Sequence, residues 1–158
     1  MAAPLAEQIT AQLERAEGLY HRLVLVVAPS GSGKSEALGE VARLKRYPLL
    51  NVNLELSRAL LELAERQRSL MCQQVLLDAV EDQSGSVVLL DNLEALFDCS
   101  LQQDPLRLLQ RLSRNRTIVA SWNGRIEGQW LTYAAPGHPE YRRFPSSGIL
   151  VVAPPSAT

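Results

Sequence analysis

The chain alternates short, continuously apolar runs with longer segments whose apolar residues recur at helical spacing. Over residues 4–18, Leu5, Ile9 and Leu13 share one face, with Glu7, Gln12 and Arg15 between them, which predicts an opening helix. Leu23 to Val27 is unbroken and largely β-branched, the mark of a buried strand. A helix is predicted from Gly33 to Leu44 and a second strand from Tyr47 to Asn53. Ser57 reads as the cap of one long helix reaching Val80, with Leu60, Leu61, Ala64, Leu70 and Leu77 turned inward. After a turn at 82–85, Val87 to Leu90 predicts a third buried strand ending in Asp91. Leu93 to Phe97 starts a helical stretch, and Asp104-Pro105 caps and opens another that runs to Ser113. Thr117 to Ser121 reads as a fourth strand, Asn123-Gly124 as a turn signal, and Ile149 to Val152 as a short fifth strand. Residues 126–147 show no period. Trp130, Tyr133, Tyr141 and Phe144 stand there among Pro136, Pro139 and Pro145, so the stretch reads as an ordered loop packed by its aromatics. The last residues, 153–158, read as a frayed tail.

Strands alternating with helices predict a five-stranded, mainly parallel sheet covered on both faces: a three-layer α/β/α fold in one domain over residues 1–158. Composition agrees, because 46% apolar and 21% charged residues exclude a disordered or low-complexity chain. A net charge of -1 provides no global basic field, so any DNA contact has to be local or made through a partner. Cys72 and Cys99 make neither a disulfide framework nor a zinc site. The first residues lack the basic and apolar regions of a secretion signal. The apolar runs are far shorter than the ~20 residues of a membrane span. A cytoplasmic protein with no membrane contact is the expectation.

Chemistry enters with Ala28-Pro29-Ser30-Gly31-Ser32-Gly33-Lys34-Ser35, set between a predicted strand and a predicted helix. Glycines at 31 and 33 let the backbone curl so that several N–H groups converge on a phosphate at the helix N-terminus. Lys34 adds an ammonium for the outer phosphates, and the Ser35 hydroxyl is a ligand for Mg²⁺. Pro29, Ser30, Gly31, Ser32, Gly33, Lys34, Ser35 and Glu36 are therefore the candidate nucleotide-binding residues. Ala28 replaces the first glycine of the usual G-x-x-x-x-G-K-[ST] pattern. Ser86-Val-Val-Leu-Leu-Asp91 has the Walker B form, an apolar strand that delivers a carboxylate to the sheet's carboxyl edge. Asp91 and Ser35 are the candidate metal ligands. The expected ligands are ATP and Mg²⁺.

The catalytic assignments are more open. Asn92 stands where many such ATPases carry a glutamate, and Glu94 follows two positions later. Glu94 is either the water-orienting acid or a first-turn helix acid. Asn123 is the candidate polar residue at the fourth strand's end, with Ser121 as substitute; a plain Asn-Gly turn is the competing reading. Arg142 and Arg143, shortly before the fifth strand, are either arginine fingers for a neighbouring subunit's nucleotide or a solvated pair. Arg107, Arg111 and Arg114 recur at helical spacing, with Arg116 beyond; they form a solvated face or a surface for a partner or DNA.

Taken with Pro136-Gly-His-Pro-Glu-Tyr-Arg-Arg143, these motifs resemble the BrxF family, small P-loop proteins of type 3 bacteriophage-exclusion (BREX) systems. The resemblance implies a bacterial anti-phage role. It also implies partners: a larger ATPase, a DNA methyltransferase, a helicase-like protein and an alkaline-phosphatase-like protein. The chain is similar as well to the AAA+ core, which implies strand order 5-1-4-3-2 and a homo-oligomer. It departs from that core in having no helical lid or sensor-2 arginine after the fifth strand, which implies slow turnover. The expected function is thus an Mg-ATP-binding, slow ATPase acting as an oligomeric nucleotide switch. The alternatives are a non-hydrolysing nucleotide-binding scaffold, favoured by Asn92, and a small-molecule kinase. A GTPase is not expected, because the chain has no Asn-Lys-x-Asp motif.

Overall fold

The computed structural model describes residues 5–98 and 103–153; Cys99 and the tail from residue 154 lie outside them. Helix α1 (Leu5–Ala16) leads into strand β1 (Leu23–Ala28), all six residues of which are buried. Helix α2 (Lys34–Lys45) follows, then β2 (Leu49–Asn51), α3 (Val52–Leu60), α4 (Glu65–Glu81) and β3 (Val87–Asp91). A 3-10 turn (Glu94–Phe97) and α5 (Pro105–Leu112) precede β4 (Thr117–Glu127), β5 (Trp130–Tyr133), β6 (Arg142–Pro145) and β7 (Leu150–Val152). The parallel core runs in the order β2-β3-β4-β1-β7. This is the order the resemblance implied, with β7 as the fifth strand.

Period-two alternation divides the apolar residues between two layers. Val24, Val26, Leu89 and Val119 meet α1 and α2 through Ile9, Leu13, Leu38 and Val41. Leu25, Val27, Val88, Leu90 and Ala120 meet the opposite layer, built from α3, α4 and α5 through Leu56, Leu76 and Leu109. The strands are continuously apolar because both faces are covered.

Several expectations need correction. The second strand ends at Asn51, whose side chain accepts from Leu54 N and caps α3, so Val52 and Asn53 are helical. The single helix from Ser57 to Val80 is two helices, and Ser57 lies inside the first rather than capping it. Arg68 fills the break by donating to the carbonyls of Leu60, Leu61 and Leu63. The inward set differs accordingly: Cys72, Leu76 and Val80 are buried, whereas Leu61 and Leu70 are 72% and 74% exposed.

Asn123-Gly124 is not a turn. Strand β4 continues through it and pairs antiparallel with β5, which pairs with β6. Residues 126–147 are thus largely a hairpin extension rather than a loop. Gly124 is required by space, since a Cβ there would lie 1.7 Å from the Thr132 carbonyl oxygen. Two of the extension's aromatics pack, Tyr133 stacking on Phe97 at 3.4 Å between centroids and Phe144 meeting Trp122 edge-on, whereas Trp130 is 40% exposed.

Candidate phosphate-binding site

Parallel pairing brings the carboxyl ends of β1 and β3 and the end of the parallel part of β4 to one edge. Ala28 lies opposite Asn123, and Leu90 opposite Ala120, so Asp91 and Ser121 emerge beside the loop that follows β1. In that loop Gly31 and Gly33 have φ of 81° and 86°, the left-handed region that a side chain disfavours. Gly33 then caps α2, which begins at Lys34. A cleft of about 280 Å³ opens there, lined by Ser30, Gly31, Gly33, Lys34, Ser35 and Glu36 from the loop side. Asp91, Asn92, Glu94, Ser121 and Asn123 line its other wall. Pro29 instead lines an adjoining cavity of about 460 Å³, walled by the β4–β5 hairpin, and Ser32 is exposed on the loop.

Lys34 is buried, and its Nζ donates to the carbonyls of Ala28 and Pro29, each at 2.8 Å. Burial lowers its pKa, opposed by the carboxylates of Asp91 and Glu94. The chain's own carbonyls thus hold the ammonium at the loop's base. Asp91 accepts from the Ser121 hydroxyl at 2.7 Å through Oδ1. Ser35 is exposed on the same cleft. One hydroxyl and one carboxylate form a set of hard oxygen donors, which suits Mg²⁺ completed by phosphate oxygens and water. Among the described residues no cluster of three metal-ligating side chains occurs.

Asn92 has φ of 56°, a left-handed conformation that asparagine tolerates better than glutamate does. The chain reverses there, and the 3-10 turn returns Glu94 to the cleft. Both Glu94 oxygens are engaged: Oε1 accepts from Asn123 Nδ2 at 2.9 Å and Oε2 from Asn53 Nδ2 at 3.0 Å. Asn53 Oδ1 also accepts from Ala95 N at 2.7 Å, which fixes the turn. Glu94 and Asn123 stand between the cleft and the hairpin cavity and line both. Tyr133 faces that cavity, its phenol pushed up to about 12 by burial and then by the carboxylates of Glu94 and Glu140.

Asn53 and Tyr133 were not singled out in the sequence. Asn53 follows a three-residue strand and Tyr133 sits in a segment without period, so neither carries a local signal. Arg142 and Arg143 lie on β6 and line neither cavity. Arg142 donates to the Gln103 carbonyl at 2.7 Å, and Arg143 lies over the Trp130 ring at 4.4 Å. Arg116 is not part of an open arginine row. It donates to the carbonyls of Val80, Glu81 and Gln83 and caps the end of α4.

No family model and no curated protein matches the chain. Among solved structures it is similar to PCH-2 of C. elegans, with 21% identity and a TM-score of 0.42, over 75% of this chain and 34% of that one. It is also similar to a DNA replication initiation factor, with 18% identity and a TM-score of 0.42, over 73% of this chain and 36% of the other. AMPPCP-bound DnaA from Aquifex aeolicus gives 18% identity and a TM-score of 0.43, over 82% and 40%. The chain thus spans about a third to two fifths of the length of these proteins. The P-loop α/β fold is read from its own strand order and phosphate loop. No helix among the described residues is long and apolar enough to cross a membrane.

Proposed function

We propose that this single-domain chain is an Mg-ATP-binding, AAA+-like P-loop protein that hydrolyses ATP slowly. On this reading it works as an oligomeric nucleotide switch in a bacterial, cytoplasmic anti-phage complex of the BrxF kind. The observation that supports hydrolysis is the return of Glu94 to the phosphate cleft beside Lys34 and Asp91. Asn92 at the position after Asp91 therefore does not leave the site without a carboxylate.

The loop amides and Lys34 hold the phosphates, and the positive charge of Lys34 stabilises the negative charge that develops at the terminal phosphoryl group. Ser35 and Asp91 are the residues that would hold Mg²⁺. When bound, the ion neutralises phosphate charge and orients the terminal phosphate. Asn123 positions a water molecule from within β4, where the strand passes from the parallel sheet into the hairpin. Glu94 accepts that water's proton as its oxygen bonds to phosphorus and the bond to the ADP oxygen breaks. Arg142 and Arg143, outside their own chain's cleft, are left to complete a neighbour's site.

Slow turnover is supported by the two amides on Glu94, because a carboxylate held by an amide on each oxygen is restrained from turning toward an attacking water. The same observation favours a second reading, a nucleotide-binding scaffold in which Glu94 never leaves its amides. Three measurements test the pair. Lys34→Ala should weaken ATP binding at least about tenfold by titration calorimetry. Asp91→Asn should reduce the difference in ATP affinity between Mg²⁺ and EDTA. A folded Lys34→Ala protein with unchanged affinity overturns both readings. Phosphate release by the wild type that disappears in Glu94→Gln selects the enzyme; nucleotide retained without release selects the scaffold.

A further inference from the structure

The opposite end of the sheet carries a second, chemically distinct hollow. His21 and Arg22 immediately precede β1, and Arg114 lies in the turn that leads into β4. Both therefore stand at the amino edge, a full six-residue strand, about 20 Å, from the phosphate loop. The hollow measures about 730 Å³, and His21, Gln73, Arg107, Arg111 and Arg114 line it.

Its charge is lopsided. Between residues 103 and 116 the chain has four arginines and one aspartate. That aspartate, Asp104, caps α5 by accepting from Arg107 N at 3.1 Å. Arg107, Arg111 and Arg114 are exposed, and none makes an ion pair with a described residue. Buried leucines 106, 108, 109 and 112 hold the opposite face of α5, so the helix cannot roll to hide the row. Arg107 and Arg111 project from positions about 6 Å apart along the axis of α5, and Arg114 follows in the turn beyond its end, so each is able to address a separate phosphate. The net charge of -1 conceals this segregation.

An aromatic stands at the same edge. Tyr20 is 74% exposed, its ring under the Arg114 guanidinium at 5.7 Å and edge-on to His21 at 4.8 Å. Arg22 donates to the Arg114 carbonyl at 3.2 Å and ties this segment to the end of α5. A flat ring held by a cation beside a row of unpaired arginines fits a ligand that alternates phosphates with planar bases. We propose that this hollow binds single-stranded nucleic acid, with Arg107, Arg111 and Arg114 on the phosphates and Tyr20 stacking a base. A duplex turns its base faces inward and leaves the Tyr20 ring without a partner. This assignment does not rest on the reading of the phosphate cleft.

The test is fluorescence anisotropy of a labelled oligothymidine of about 12 nucleotides, titrated with the full chain without added nucleotide, at about 50 and about 200 mM salt. The expected result is binding that weakens steeply with salt. Arg107→Ala with Arg111→Ala should weaken it at least about tenfold and flatten the salt slope by about two. Tyr20→Ala should weaken it at least about fivefold while Tyr20→Phe retains it. All three side chains are exposed, and circular dichroism confirms the fold of each variant. Lys34→Ala should bind the oligonucleotide as the wild type does, which separates this test from that of the ATP site. No binding at low salt overturns the proposal, as does an arginine pair variant that binds normally. Equal affinity for a duplex, or for heparin with Tyr20→Ala unaffected, also overturns it by leaving only a polyanion surface.

Discussion

Replacing Asn53 with alanine should raise ATP turnover while lowering stability. The side chain holds Glu94 Oε2 at 3.0 Å and accepts from Ala95 N at 2.7 Å. A hydrogen bond to a charged group contributes about 1.5–3 kcal/mol, and partial exposure places this one at the lower end, about 1.5 kcal/mol. If that bond must break before Glu94 turns toward the attacking water, removing it lowers the barrier by the same amount, about tenfold in rate. Losing the Ala95 contact adds about 0.5–1 kcal/mol of destabilisation. The total, about 2 kcal/mol, lowers the melting temperature by about 6 °C in a domain of this size. Steady-state phosphate release and thermal unfolding are the two assays. Asn123→Ala is the contrast: it frees the other Glu94 oxygen but removes the group placed to position water, so turnover should fall. The reasoning is refuted if Asn53→Ala melts lower, binds ATP normally and turns over no faster than the wild type.

Changing Arg142 and Arg143 together to alanine should leave ATP affinity of the monomer nearly intact and abolish ATP-driven self-association in sedimentation. A wild type that stays monomeric with Mg-ATP would remove the finger role. Gly124→Ala should cost about 3 kcal/mol, from overpacking against Thr132 and disturbance of the 2.9 Å bond from Trp122 Nε1 to the Thr132 carbonyl. A melting temperature within about 2 °C of wild type would show that β4 and β5 separate more easily than their packing implies. Cys72 is fully buried and its thiol is pushed up to about 11, so little thiolate exists at pH 8. In a Cys99→Ser background, Cys72 should resist aromatic disulfide reagents until denaturant is added, and rapid labelling of the native protein would contradict its burial.

Much of the cleft at the phosphate loop is legible in the sequence because its parts are local. The β-branched run of β1, Gly31 and Gly33, and Lys34-Ser35 are contiguous, and the apolar run into Asp91 needs only five residues to state itself. The Asp104-Pro105 start of α5 is equally local, a capping side chain and a residue without an N–H at the first turn. What escaped depends on partners distant along the chain. The split between α3 and α4 leaves Leu61 and Leu70 exposed although their spacing fits an inward face, because Arg68 terminates the first helix from outside the periodic pattern. Gly124 in Asn-Gly reads as a turn until the Thr132 carbonyl is seen to occupy the space of its Cβ. The sequence leaves Glu94 open between a water-orienting and a helix-start acid, and its place in the cleft is fixed only when Asn53 and Asn123, from 41 residues before and 29 after, close on its two oxygens. The arginines of α5 likewise show a helix period on their own. Their hollow exists because Arg22, 92 residues earlier, binds the Arg114 carbonyl and brings Tyr20 and His21 beside them. Local backbone preference and side-chain periodicity are written along the chain, whereas the pairing of polar groups across strands is set by sheet order and register, which no single segment contains.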